Sequence, residues 1–373
     1  MLIISRILFA LFAGVCATGF AFINPIPVLA QYPPQNQQLN DLLRQARDYI
    51  DAGDYDRAIA TYERAAYFDR RNAKIYSGIG YLRTLQGQYI EASRAYQQAL
   101  ALDRNNPDFQ YAYAYCLAQM RDNRNAIRAY QRAIQMDSRN IKSYIGLGVV
   151  LMREGYHDRA LQIYEGIARE NPGDGSIYGL MSTALLELDR SREAIERLQR
   201  AVQRYPNNAQ LWLQLGIFLA GLTENEEGAT IALQRAVRLN PDDPRAQLQI
   251  GWIYQQQGRE ELARDMFNKA SVTGYDSFEI QMEIGNIFLE QDSYLTATIA
   301  YRRAVQLAPD RPEAYYKLGL VLKARNRKAD AIAAWNRAMA LYRDRGDRAG
   351  IDKIQVLLDE EETTRDRVFE PFN

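Results

Sequence analysis

At 373 residues the chain is long enough for two or three ordinary domains, or for one long repetitive one. Its 46 basic and 46 acidic residues cancel, which leaves no net charge to hold it on nucleic acid or on an anionic membrane. One histidine and two cysteines leave little for a zinc site, a disulfide framework or histidine-based catalysis. Lysine occurs only seven times, so the basic residues are mostly arginine, a side chain suited to planar and stacked contacts with protein surfaces.

Residues 1–30 stand apart. A single positive charge, Arg6, precedes an apolar run from Ile7 to Ile23, followed by Pro25, Pro27 and the small-residue ending Val28-Leu29-Ala30. This pattern is that of a secretory signal cleaved after Ala30, with Gln31 as the new N-terminus; the alternative is an uncleaved membrane anchor through residues 7–23. Cleavage would remove Cys16 and leave Cys116 as the lone thiol, so no internal disulfide could form. Residues 31–38 form a polar, proline-containing spacer.

From residue 39 the sequence repeats every 34 residues. Ala58, Ala92, Ala126, Ala160 and Ala194 keep this spacing; Ala229 comes one residue late, and Ala263, Ala297 and Ala331 resume it. Four residues after each alanine stands a large side chain: Tyr62, Tyr96, Tyr130, Tyr164, Leu198, Leu233, Phe267, Tyr301 and Trp335. Seven after it stands another alanine, except in the fourth unit, where Ile167 takes the place. Upstream recurs a small residue, among them Ala46, Gly80, Gly148, Gly251, Gly285 and Gly319. Small residues where two helices cross let the backbones approach, and the large residue fills the space beside them. Asn72, Asn106, Asn140, Asp174, Asn208, Asp243 and Ser277 sit where their side chains can cap a helix, with Pro107, Pro244 and Pro312 at the first helical place. Gly53, Gly87, Gly155 and Gly258, replaced by Asp189, Asp292 and Asn326 in other units, fall mid-unit, where the chain reverses. Each unit therefore reads as helix, turn, helix.

The sixth unit, "LWLQLGIFL", and the ninth, "YYKLGLVL" followed by Ala331, Trp335 and Ala338, carry the pattern most fully. In period and pattern the chain resembles the tetratricopeptide repeat family. The resemblance implies an all-α, right-handed α-solenoid of nine units over residues 39–345, closed by a capping helix and tail over 346–373 in which Ile351, Ile354 and Leu358 share a face. It also implies a concave groove lined by the first helix of each unit. On that register the groove is aromatic, with Tyr81, Tyr111, Tyr115, Trp252 and Tyr316 as candidate partner-binding residues. The lysine–asparagine–arginine clamp that some family members use is not present at these places. Replacing Tyr111 and Tyr115 by alanine is expected to weaken partner capture while leaving melting nearly unchanged. Within the run "YAYAY", Tyr113 is expected to point away from the groove, towards its own unit's second helix.

Other features read as structural. Gly173, Gly175 and Gly179 lack the spacing and preceding strand of a dinucleotide loop. His157 is expected in a solvated turn, and Glu360 to Glu362 on a solubilising face. Arg124, Arg128 and Arg132 form a ridge on the convex side of the third unit. Basic residues between Lys323 and Arg348 serve either internal pairing with the acidic terminal helix or an acidic partner. No catalytic, cofactor or metal site is expected. The function expected is that of a non-catalytic, exported scaffold in the periplasm or thylakoid lumen, without nucleic-acid or small-molecule cofactors. It would bind protein partners as extended peptides or amphipathic helices, with membrane-complex subunits or secretion machinery as candidates. The alternative is an accessory of glycan modification or polysaccharide export with carbohydrate contacts along the groove.

Overall fold

A computed structural model describes residues 37–223 and 225–368, with side chains as far as Glu361. The expected leader over residues 1–30 lies outside the described residues. These form nineteen α-helices and no strand, in consecutive antiparallel hairpins, an all-α solenoid.

The unit ending at Arg197 contains α1 (Gln37–Asp51), α2 (Tyr55–Phe68), α3 (Ala73–Leu85), α4 (Tyr89–Leu102), α5 (Pro107–Gln119), α6 (Asn123–Met136), α7 (Ile141–Arg153), α8 (His157–Glu170), α9 (Gly175–Glu187) and the start of α10 (Ser191–Arg204). The unit from Leu198 holds the rest of α10, then α11 (Ala209–Leu222), α12 (Glu226–Leu239), α13 (Pro244–Gln256), α14 (Glu260–Thr273), α15 (Phe278–Glu290), α16 (Tyr294–Leu307), α17 (Pro312–Ala324), α18 (Lys328–Asp344) and α19 (Arg348–Val368).

The helix starts are those the polar side chains dictate. Asn72, Asn106, Asn140, Asp174, Asn208, Asp243 and Ser277 each accept a hydrogen bond from a backbone N–H in the first turn that follows. Pro107, Pro244 and Pro312 open their helices, where a missing N–H costs nothing. The one-residue slip is absorbed locally. First helices α3, α5, α7, α9, α13, α15 and α17 have 13 residues each, whereas α11 has 14, so the register beyond it is restored.

Between the helices of a pair the chain turns through a left-handed residue. Gly87 (φ 72°) does so with its N–H on Thr84 O and that of Gln88 on Arg83 O. Asp189, Asp292 and Asn326 adopt φ of 57°, 55° and 59° at the equivalent place. Arg121, at φ 60°, holds the same place in the third unit, with the same hydrogen-bond pair to Ala118 O and Leu117 O. A long, unbranched arginine side chain gains nothing from this conformation, which disfavours side chains with a Cβ by about 1–2 kcal/mol. Arg121→Gly is therefore expected to stabilise the protein by roughly 0.5–1 kcal/mol, read as a raised midpoint in urea; an unchanged or lowered midpoint would count against the strain.

All nine marker alanines and all nine large residues that follow them are buried. The large side chains lie against the small places on the first helices. A Cβ added at Gly148 would meet the Tyr164 ring, and one at Gly319 the Trp335 indole, closer than the 3.0 Å that real Cβ atoms respect. Full burial of each such side chain contributes roughly 1.5–3 kcal/mol.

The last helix, α19, buries Ile354 completely and sets Leu357 and Leu358 against the same core. Within the acidic run Glu360 is exposed as expected, but Glu361 is not. Glu361 has a side chain only 5% exposed, held by Lys323 Nζ at 2.8 Å and Lys328 Nζ at 3.5 Å, with Glu360 also 3.3 Å from Lys323. The basic residues near Lys323 are thus used, at least here, for internal pairing. The hydrogen bond from Lys323, then its charge and that of Lys328, hold the Glu361 carboxyl below the usual carboxylate range against the opposing effect of burial. A depressed folded-state pKa contributes stability that is present above the unfolded value, about 4.3, and lost as pH falls through the folded one. Amide protection at Ile354 is expected to drop as pH is lowered from 6 towards 3, and Glu361→Gln to flatten that dependence; a pH-independent protection would refute the pairing.

Candidate partner-binding surface

The marker alanines and the large residues that follow them on the second helices are buried in packing, and the aromatic residues singled out for partner contact all lie on first helices. In the unit ending at Arg197, Tyr81 on α3 is half-buried against the core of α1 to α3, and burial raises its hydroxyl pKa, with a smaller contribution from Tyr55. On α5, Tyr111 and Tyr115 share a register face but not an environment. Tyr111 is only 8% exposed, its ring centroid 6.1 Å from that of Tyr130. Tyr115 is half-buried and meets Tyr89 edge-on at 6.3 Å. Tyr113 does not turn to its own second helix. Its hydroxyl accepts a 2.7 Å hydrogen bond from Gln97 on α4, the second helix of the preceding pair, because each first helix is wedged between two second helices. Behind them burial drives the Tyr96 hydroxyl well above the phenol range and the Cys116 thiol up to about 11, so Cys116 is an inert core residue.

Two other sequence expectations find their places. His157 is the first residue of α8 and half-buried, not in a solvated turn, because the turn ends at Tyr156. Arg124, Arg128 and Arg132 are all exposed on α6, opposite its buried Ala126, Ala129, Tyr130 and Ala133. A cleft of about 470 Å³ opens between α7 and α8, lined by Ile141, Tyr144, Leu147, Ile163 and Arg159, beside the Ile167 that stands where the other units have alanine.

In the unit from Leu198, Trp252 on α13 is half-buried and sits edge-on to Phe267, 5.5 Å between centroids and 69° between planes. On α15, desolvation pushes the Glu283 carboxyl above its usual range, with the Trp252 side chain acting in the opposite direction. One turn further along α15, Asn286 Oδ1 accepts from Tyr301 Oη at 2.8 Å. Tyr316 on α17 is half-buried, and Lys353 Nζ from α19 lies 4.1 Å from its ring centroid.

Glu283 and Lys353 are not among the residues singled out from the sequence. A signal for Glu283 existed: it occupies a register place held elsewhere by Gly78, Ala112, Gly146, Leu180, Gln214 and Gln249. The place is charged only in the first, eighth and ninth units, by Arg44, Glu283 and Lys317. Lys353 gave no such sign, since its contact depends on how the last helix docks. Among the described residues no group of His, Cys, Asp and Glu could hold a metal ion, and no helix is long and apolar enough to cross a membrane.

Profiles described as tetratricopeptide repeat match residues 43–89, 73–106, 118–184, 151–216, 224–276 and 313–345, and one described as TPR repeat matches 285–326. Over 123 residues the chain is 27% identical to Tetratricopeptide repeat protein 33 of Mus musculus, covering 33% of this chain and 47% of that protein. The chain thus spans about half the length of this curated relative. A tetratricopeptide repeat protein from Parabacteroides merdae of known structure is 17% identical, with a TM-score of 0.52 over 66% of this chain and 97% of that one; it shares the fold. The solved structure of MamA protein is 22% identical, with a TM-score of 0.44 over 47% of this chain and 96% of that one.

Proposed function

Because this chain belongs to the tetratricopeptide repeat family, we propose that it is a non-catalytic scaffold that captures partner proteins through the first-helix faces of its two units. The observation that carries this reading is the division of labour between helices. The large residues four places after the marker alanines on the second helices are buried in the core, whereas Tyr81, Tyr115, Trp252 and Tyr316 on the first helices keep part of their surface accessible. Half-buried Tyr and Trp held rigidly on helices supply large contact area at little entropic cost, which is why they dominate interface hot spots. The occupant is an extended peptide or amphipathic helix. Tyr111 belongs to the same row but supports it from below.

The setting proposed is an exported one, the periplasm or thylakoid lumen, with subunits of a membrane complex or of secretion machinery as partners. It is supported by the leader-like sequence of residues 1–30. In-cell crosslinking from a photoreactive residue at Tyr115 or Trp252, followed by mass spectrometry, tests the scaffold reading. Recovery of one protein partner that is lost on Trp252→Ala or Tyr115→Ala is expected. Crosslinks only to solvent or to the chain itself would overturn it. Fractionation with N-terminal sequencing of the mature protein tests whether it starts at Gln31.

A further inference from the structure

One hairpin of the unit ending at Arg197 departs from the repeat at the places that close the seam between its helices, and the cleft of about 470 Å³ between α7 and α8 lies there. Gly166 stands where seven of the other eight units have arginine or lysine and the remaining one has Gln98. The ninth unit shows what that side chain does: the Arg337 guanidinium lies over the Tyr315 ring, 6.0 Å from its centroid. Tyr144 and Gly166 hold these two places in the fourth unit, so the Tyr144 ring lacks that cover and lines the cleft instead. Ile163 and Ile167, also in the lining, occupy places held by alanine in five and in eight of the other units. Stiff β-branched side chains where two helices meet keep their axes apart. No packing need accounts for Gly166: a Cβ added there would meet only Arg169 Nη2, at 3.8 Å. Glycine within a helix is costly, and its use is to let another group approach the backbone.

The lining also states what that group is. Ile141, Leu147 and Ile163 give the cleft apolar walls. Arg159 and Arg169 stand towards its two ends, about 15 Å apart along α8, against one carboxylate, Glu170. Among the described residues none of these three charges forms an ion pair. A span of about 15 Å holds about four or five residues of extended chain at most, so the cleft is sized for a small molecule. We propose that it binds a small amphiphilic carboxylate, whose apolar body lies along the α7–α8 seam and whose head group pairs with the guanidinium of Arg169. A guanidinium takes a carboxylate through two parallel hydrogen bonds. The two helices run antiparallel, so Ser138 and Tyr144 line the same end as Arg169 and add hydroxyl donors. This site is separate from the aromatic first-helix faces and does not depend on them.

The test titrates decanoate, below its micellar range and at neutral pH, into the full chain by calorimetry. Wild type is expected to take up about one equivalent and to bind it about tenfold or more tightly than decyltrimethylammonium, a cation of the same chain length. Gly166→Arg restores the side chain that other units carry and meets no clash, so it should fold with a raised midpoint in urea and lose decanoate uptake. Arg169→Gln should weaken decanoate about tenfold and leave decyltrimethylammonium no weaker. Uptake by Gly166→Arg equal to that of wild type, an Arg169→Gln variant that binds decanoate as wild type does, no discrimination between the two amphiphiles, or no uptake at all would each overturn the site. None of these results bears on the scaffold reading.

Discussion

Trp335→Ala is expected to destabilise the unit from Leu198 by about 3–5 kcal/mol, the range for truncating a fully buried aromatic. Trp335 has no exposed surface; its indole Nε1 donates to Tyr316 O at 3.2 Å, and its ring covers Gly319. Removing it opens a cavity between α17 and α18 and leaves the Tyr316 carbonyl without that donor. Stability in stacked repeats is a sum of nearest-neighbour terms, so the loss should be local. Hydrogen exchange should show α17 to α19 losing protection first, with α1 to α4 unchanged. The packing argument also fixes a coupling. Gly319→Ala clashes with the indole in the native protein but fits the space that Trp335→Ala leaves. The double variant should therefore be more stable than the sum of the singles by about 1–3 kcal/mol. Additive losses would show that the small-large pairing is not what sets this interface.

Tyr111→Ala is expected to cost about 3 kcal/mol, whereas Tyr115→Ala, one turn along the same face, costs about 1 kcal/mol or less. Tyr111 is 8% exposed, its ring tilted against Tyr130; Tyr115 keeps accessible surface and loses mainly its edge-on contact with Tyr89. The pair cannot then be removed together with melting unchanged, and a binding defect in the double variant would be confounded by the core. Tyr115→Ala alone is the clean probe of partner capture. Equal midpoints in urea for the two single variants would refute the distinction.

Much of this architecture is written in local residue chemistry. The period of 34, the buried alanines, the capping Asn and Asp residues and the prolines at helix starts each act within one helix or across one hairpin, where geometry is fixed by the backbone itself. The turn at Arg121 escapes this reading because its conformation is imposed by hydrogen bonds to Ala118 and Leu117, whatever the side chain. Of the five aromatic residues placed on the first-helix face, register alone gives no means to separate Tyr111 from Tyr115. Their difference arises from Tyr130, on the following helix.

The sequence by itself determined an all-helical repeat, where the first helices of units two to nine begin and most hairpins turn, and which residues fill the space between paired helices, because those choices depend on spacing along a helix. Only the tertiary structure decided that Tyr113 bonds to Gln97, that Glu361 is sunk against Lys323, and that Lys353 lies over the Tyr316 ring. Each of these joins groups on different helices. The burial of a charge or a hydroxyl is a property of what surrounds it, and those surroundings come into being when the helices pack.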